Sequence, residues 1–196
     1  KLNGDFIAGF GNSSYDNSVR TMLWDYGTYS TTPGGEFVLN ETVVSKVETS
    51  TDDAGNKTYT YTLKSGLKWS DGAKVTAKDY VFGILFAASP EWVEVGATDT
   101  TGDSLVGYTA YHEGTADSFE GVKYISDTQF SVTISKDFLP YFYEVVYASF
   151  GPSPLHVWGK DLTIGANGNS LEGDVAAAAE FVATEERFAP SVVSGP

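Results

Sequence analysis

The chain has 196 residues with 26 acidic against 12 basic side chains, a net charge of −14 that disfavours nucleic acid and anionic membrane surfaces as direct partners. It contains no cysteine, which removes disulfide scaffolds, thiolate zinc sites and thiol nucleophiles, and no run of about 18 apolar residues that would span a bilayer. Its 41% hydrophobic and 14% aromatic content suffices for the core of one domain or two small ones, and the acidic, Tyr/Thr/Gly-rich composition fits work outside the cell.

The opening Lys1-Leu2-Asn3-Gly4-Asp5 lacks a basic region followed by an apolar one, so the chain reads as a mature segment. Phe6, Ile7 and Ala8 run into a Gly/Asn/Ser-rich stretch at residues 9–16, the pattern of a strand entering a turn. Val19, Met22, Leu23 and Tyr26 then follow at helical spacing and predict a short helix over residues 18–26. After the turn chemistry of Thr31-Thr32-Pro33-Gly34-Gly35, residues 36–39 and 43–49 suit short strands. A loop at residues 52–56 leads into residues 57–63, where Tyr59, Tyr61 and Leu63 face one way and Thr58, Thr60 and Thr62 the other. That alternation predicts a half-buried antiparallel hairpin.

Thr76 followed three residues later by Asp79 is a variant capping box, and it opens a helix over residues 77–88 with Val81, Ile84, Leu85 and Ala88 on one face. The Gly/Thr/Asp-rich residues 94–116 hold one candidate helix, at 104–111. Val122 to Ile125 and Gln129 to Ile134 flank Ser126-Asp127-Thr128 as a second hairpin, with Phe130, Val132 and Ile134 on one side. Pro140 is placed for the first turn of a helix through residues 141–147, and an Ala-rich helix is expected over 174–183. A shift in composition near Gly151, with Pro152, Pro154 and a Gly/Asn loop at 165–173, marks a candidate domain boundary. Hairpins mixed with helices in this order predict α+β packing around an antiparallel sheet.

The stretch from Tyr59 to Phe82 carries Trp69, Asp71, Gly72, Thr76 and Asp79 at fixed places and resembles the signature of solute-binding protein family five, the oligopeptide-, dipeptide- and nickel-binding components of ABC importers. Residues 121–134 look like that family's second hairpin, Leu139-Pro140-Tyr141-Phe142-Tyr143 resembles its oligopeptide-binding branch, and Ser194-Gly195-Pro196 is similar to its Gly-Pro turn. The motif also has a physical reading of its own. Trp69 supplies a large apolar plug for the Tyr/Leu face of the first hairpin, Asp71-Gly72 makes the tight turn, and Thr76 caps the helix that crosses the strands, so its role is structural.

The resemblance implies the amino-terminal portion of a type II periplasmic-binding-protein-like fold. Residues 1–23 would belong to a hinge lobe, 24–149 to a family-specific accessory α+β domain, and 150–196 to the continuation of the hinge lobe. Members of the family are usually more than twice this long, so the second, ligand-closing lobe is expected to be missing. The function implied is capture of oligopeptides outside the cell between two lobes and delivery to the membrane permease of an ABC importer. Such a component is a monomer without enzymatic activity or cofactor, periplasmic or anchored as a lipoprotein. A dipeptide, nickel or another small solute is the alternative cargo, and residues 9–29, which depart from the family pattern, leave that choice open.

Several sharper readings compete with plain ones. Gly9-Phe10-Gly11-Asn12-Ser13-Ser14 looks like a phosphate-cradling loop, but Ser14 stands where the third glycine belongs, so a strand-to-turn segment accounts for it better. Gly11, Asn12 and Ser13 remain candidates for hydrogen bonds to a peptide main chain, and Trp24, Tyr26 and Tyr29 for contact with the ligand beside the expected cleft. Asp52, Asp53 and Asn56, like Asp99 and Asp103, lack the alternating oxygen ligands of a calcium loop and read as turns. His112 and His156 belong to no metal motif and read as surface or packing residues. Tyr141, Phe142, Tyr143 and Tyr147 sit at helical spacing and read as core rather than as a sugar-stacking platform. No Gly-x-Ser-x-Gly elbow occurs and no carboxylate pair stands out, which counts against a secreted hydrolase, while the helices count against an all-β carbohydrate-binding module.

Overall fold

The computed structural model describes residues 1–196 apart from residues 12, 99 and 196. Helix α1 (Ser14–Leu23) begins four residues before the spacing predicts. Its first turn is anchored by Asp16, whose buried carboxylate accepts the backbone N–H groups of Asn3 at 3.0 Å and Gly4 at 3.1 Å. It ends before Tyr26 because Trp24 leaves helical geometry and turns its indole N–H to the Phe6 carbonyl, 2.9 Å away. The strand expected at Phe6 to Ala8 does not form, since the Phe6 N–H is taken by the Arg187 carbonyl at 2.9 Å instead of a neighbouring strand.

Strands β1 (Tyr29–Thr31) and β2 (Phe37–Leu39) form a small antiparallel ribbon with Tyr29 opposite Leu39. The first predicted hairpin is β3 (Val44–Thr51) and β4 (Lys57–Leu63), joined by a turn in which the Asp52 carboxylate accepts the Asn56 N–H at 2.9 Å. Helices α2 (Ala77–Ala87), α3 (Pro90–Glu94) and α4 (Tyr108–His112) follow, then β5 (Val122–Ser126) and β6 (Gln129–Ile134). The helix expected at 104–111 is thus displaced by four residues at its start. Ser104 is buried, and its carbonyl accepts the Ser135 N–H at 2.9 Å, which ties that stretch to the end of β6. The four long strands make one antiparallel sheet in the order β3-β4-β6-β5, with Tyr61 opposite Phe130.

Tyr59, Tyr61 and Leu63 are buried on one face of the sheet as their alternation requires. A ladder of stacked rings then runs from Tyr59 through Tyr61 and Phe130 to Tyr80 of α2, with centroids 5.0 to 6.4 Å apart. Two of its phenols are satisfied on backbone carbonyls, Tyr61 on that of Ala148 at 2.7 Å and Tyr80 on that of Tyr26 at 2.6 Å. Trp69 is 2% exposed and lies edge-on to Trp24. The turn at Asp71-Gly72 takes a left-handed glycine (φ 91°), and Thr76 and Asp79 complete the reciprocal cap of α2.

Helix α2 is apolar nearly all round, which is the pattern of a helix buried on two sides. Tyr80, Val81, Ile84, Leu85 and Ala88 join the core over the sheet. Phe82 and Phe86, one turn apart on the other side, join a second core with Ile7, Trp92, Trp158 and Val182.

That second core is completed by α5 (Leu155–Trp158), the short β7 (Thr163–Ile164) and β8 (Leu171–Glu172), and α6 (Val175–Phe181). Asp174 caps α6 by accepting the Ala177 N–H at 2.9 Å, and the helix passes into a π-turn over Val182–Glu186 instead of ending near Ala183. The helix expected from Pro140 is only a 3-10 turn at Glu144–Ala148, after a cis Leu139-Pro140 bond. Its aromatics are correspondingly not core. Phe142 is 89% exposed and Tyr141 and Tyr143 are exposed too, while Tyr147 alone packs partly against the main core. The final segment docks on α1: Ser194 and Gly195 both donate to the Leu23 carbonyl, and a Cβ on Gly195 would lie 1.9 Å from the Met22 carbonyl oxygen. Pro196 of the predicted turn lies outside the described residues.

Candidate functional site

Between the two cores, α2 and the two segments that flank it leave a cavity of about 620 Å³. Its wall is aromatic and aliphatic, with Trp24, Phe86, Trp92, Trp158 and Ile7 as the large contributors. Trp24 is the keystone. It follows the end of α1, packs edge-on against Trp69 and Trp158 with centroids 6.5 and 5.6 Å away, and so touches both cores. Polar groups sit around the cavity's lining, among them Arg20, Thr21, Thr100, Asp103 and Ser153. A Cβ on Gly83 would meet the Ser153 oxygen at 2.9 Å, so the glycine lets the 149–153 segment approach α2 closely at this wall.

Arg20, the one cation in the lining among the described residues, is already engaged. Arg20 donates from Nε to the Asp5 carbonyl at 2.9 Å, from one terminal nitrogen to Asn17 Oδ1 at 2.8 Å, and from the other to the Gly11 carbonyl at 2.8 Å. It therefore braces the 5–11 loop against α1. Trp92 is 2% exposed and its Nε1 finds no acceptor among the described residues, which leaves a donor in the wall. A chamber of this kind accepts apolar side chains, because its large aromatic and aliphatic wall favours burial of apolar surface over that of an ion.

Of the sequence-predicted site residues that are described, only Trp24 lines the cavity. Gly11 is tied to Arg20, and Ser13 hydrogen-bonds the Lys1 carbonyl at 2.8 Å just before α1. Asn12 lies outside the described residues. The Tyr26 carbonyl receives the Tyr80 hydroxyl, and Tyr29 packs edge-on to Tyr61 at 6.3 Å, where burial pushes its phenol pKa up. Both tyrosines thus support the sheet core beside the cavity. Sequence reasoning missed the lining from residues 100–104 and 146–153. The glycine and prolines around residue 151 were the one available signal.

The titratable groups nearby serve structure. Desolvation pushes the Glu144 pKa up, but hydrogen bonds from Lys57 and from Tyr59 (2.6 Å) outweigh it and hold the carboxyl below its ordinary value. Asp79 is displaced in the opposite direction, its burial raising the pKa against hydrogen bonds from Thr76 and Leu155. His112 is held at the Ala88 carbonyl, 3.0 Å from Nδ1. Among the described residues no group of three or more metal-ligating side chains converges. Asp103 is an exposed turn residue, and Asp99 lies outside the described residues.

Residues 42–196 match the profile of the bacterial extracellular solute-binding proteins, family 5 Middle. The oligopeptide-binding protein OppA of Lactococcus lactis subsp. cremoris is 42% identical over 72 residues, 37% of this chain and 12% of that protein. The periplasmic oligopeptide-binding protein OppA of Escherichia coli is 34% identical over 110 residues, 55% of this chain and 20% of that protein. The solved structure of lactococcal OppA, complexed with an endogenous peptide in the closed conformation, covers 100% of this chain at a TM-score of 0.66 and 21% identity, and the chain spans 33% of that structure. The α+β architecture is therefore that of a portion of an OppA-type binding protein.

Proposed function

The chain belongs to the bacterial extracellular solute-binding proteins, family 5, and on that premise we propose that it is part of a component that captures oligopeptides outside the cell and hands them to the membrane permease of an ABC importer. The observation that carries the reading is the cavity beneath Trp24, large enough for a bulky side chain, apolar in its walls and edged by hydrogen-bonding groups. The named activity of the OppA relatives supports the same cargo. We assign residues 1–23 and 150–196 to one lobe, supported by the Phe6–Arg187 backbone bond and the Asp5–Arg187 ion pair, and residues 24–149 to the accessory domain. The component is monomeric, with a lipid anchor or free in the periplasm.

Three of the four tryptophans line the cavity, so intrinsic fluorescence reports its occupation. Titration with a mixed pool of short peptides should give a saturable change in the millimolar range, about −4 kcal/mol, because one wall alone buries little of a ligand. Thr21→Arg, at the edge of the cavity, should abolish it. A response to nickel or to sugars with none to peptides would replace the peptide reading with the corresponding alternative.

A further inference from the structure

A second depression lies at the opposite end of α2 from the aromatic cavity, with a volume of about 300 Å³. Its lining includes Lys74, Lys78, Lys160 and His156, and Lys68 faces Lys74 across an antiparallel bridge. In a chain with 26 acids and 12 bases, such a concentration of cations in one place departs from the overall charge. The ion pairs among the described residues are Lys46–Glu48, Lys57–Glu144, His156–Asp71 and Arg187–Asp5, so none of these lysines is in one, and the Lys78 ammonium instead lies over the Tyr124 ring, 5.6 Å from its centroid.

The two acids that the contacts place at the depression, Asp79 and Asp71, already have partners. Asp79 lines the depression but is 5% exposed, with Oδ2 accepting from the Thr76 N–H and hydroxyl and Oδ1 from the Leu155 N–H. Asp71 holds His156 Nε2 at 2.9 Å and accepts the Ala73 N–H at 2.9 Å. The first amides of α2 are likewise capped, Lys78 N–H by Thr76 Oγ1. The binding capacity of the depression therefore resides in its side chains, the exposed Lys74 and Lys160 beside a floor that includes Leu155 and Leu162, with Lys78 turned onto Tyr124.

We propose that this depression binds a phosphate-class oxyanion, held by Lys74 and Lys160 with Lys78 and His156 at its edge. Flexible ammonium donors at the rim of a concavity of this size suit the tetrahedral oxygens of inorganic phosphate or of an esterified headgroup, which share the same chemistry. The site is separate from the aromatic cavity, with which it shares no lining residue.

The two histidines make the test internal, because His156 borders the depression while His112 is packed against Ala88 and stacked on Tyr108. Inorganic phosphate added at constant pH and ionic strength should move the His156 ring resonances saturably and leave those of His112 still. The Lys74→Gln/Lys160→Gln variant removes two exposed side chains and should keep its far-UV circular dichroism while binding about tenfold more weakly or worse. Co-sedimentation with phosphatidylglycerol but not phosphatidylcholine vesicles, lost in the variant, would assign the headgroup as the source of the anion. A His156 response without sedimentation would assign free phosphate. Equal responses to phosphate and chloride, or an unchanged titration in the variant, would overturn the proposal, as would sedimentation that persists in the variant.

Discussion

Removing the Asp79 carboxylate should destabilise the protein more than removing the Thr76 hydroxyl, although both belong to one cap. Thr76 Oγ1 caps the first turn of α2, with the Lys78 amide at a long 3.3 Å, so Thr76→Ala should cost about 1 kcal/mol. Asp79 accepts the Thr76 N–H at 2.8 Å and the Leu155 N–H at 3.3 Å, and it joins the start of α2 to the start of α5. Asp79→Ala would strand both donors, at roughly 1 to 3 kcal/mol for each buried unsatisfied group. The longer Leu155 contact and relief from burying a carboxylate reduce this, leaving a net loss of about 2 kcal/mol. Urea melts with unchanged slope measure both variants.

The same carboxylate also gives a signed pH dependence. Its folded-state pKa is raised above 3.8, chiefly by desolvation, so the folded chain binds the proton more tightly than the unfolded one. The stability linked to that proton is full below the unfolded value and is lost as pH rises through the folded one. Wild type should therefore gain on Asp79→Asn as pH falls from about 7 to about 3.5. A cost for Asp79→Ala below that of Thr76→Ala, or the opposite pH trend, would refute the view that Asp79 anchors this junction.

Trp69→Ala should cost about 3 kcal/mol, near the low end for aromatic truncation, because the buried Nε1 it removes has no acceptor among the described residues. Trp69→Phe should cost distinctly less, and a loss below about 1 kcal/mol for the alanine variant in denaturant melts would mean that the ring is not core. Glu144→Gln should cost about 1 to 2 kcal/mol at neutral pH, because it replaces the acceptor shared by Lys57 and Tyr59. The Glu144 folded pKa is lowered from 4.5, so this contribution is present above that value and lost as pH falls through the folded one, and the variant's acid-unfolding curve should be flatter there.

How much was legible in the sequence follows from how local each determinant is. The alternation at Tyr59, Tyr61 and Leu63, the Asp71-Gly72 turn and the Thr76–Asp79 cap are set by neighbours within a few residues, and each occurs where its pattern predicts. The family, too, is carried by that contiguous motif. Helix ends were less legible, because α1 is anchored at Asp16 by residues 3 and 4 and released at Trp24 by the Phe6 carbonyl, contacts that spacing does not encode.

Only the tertiary structure decided which aromatics matter for a site. Tyr26, Tyr29 and Trp24 look alike in sequence, yet two support the sheet core and one lines the cavity. Phe142 and its neighbours have core-like spacing but form no regular α-helix that could turn one face inward, and Phe142 remains in solvent. The cavity joins residues 7–24, 83–104 and 146–158, and the basic depression joins residues 73–79 to 155–162. Both exist because α2 is buried on two sides and gathers distant segments along its length, a juxtaposition that a one-dimensional pattern of apolar residues does not specify.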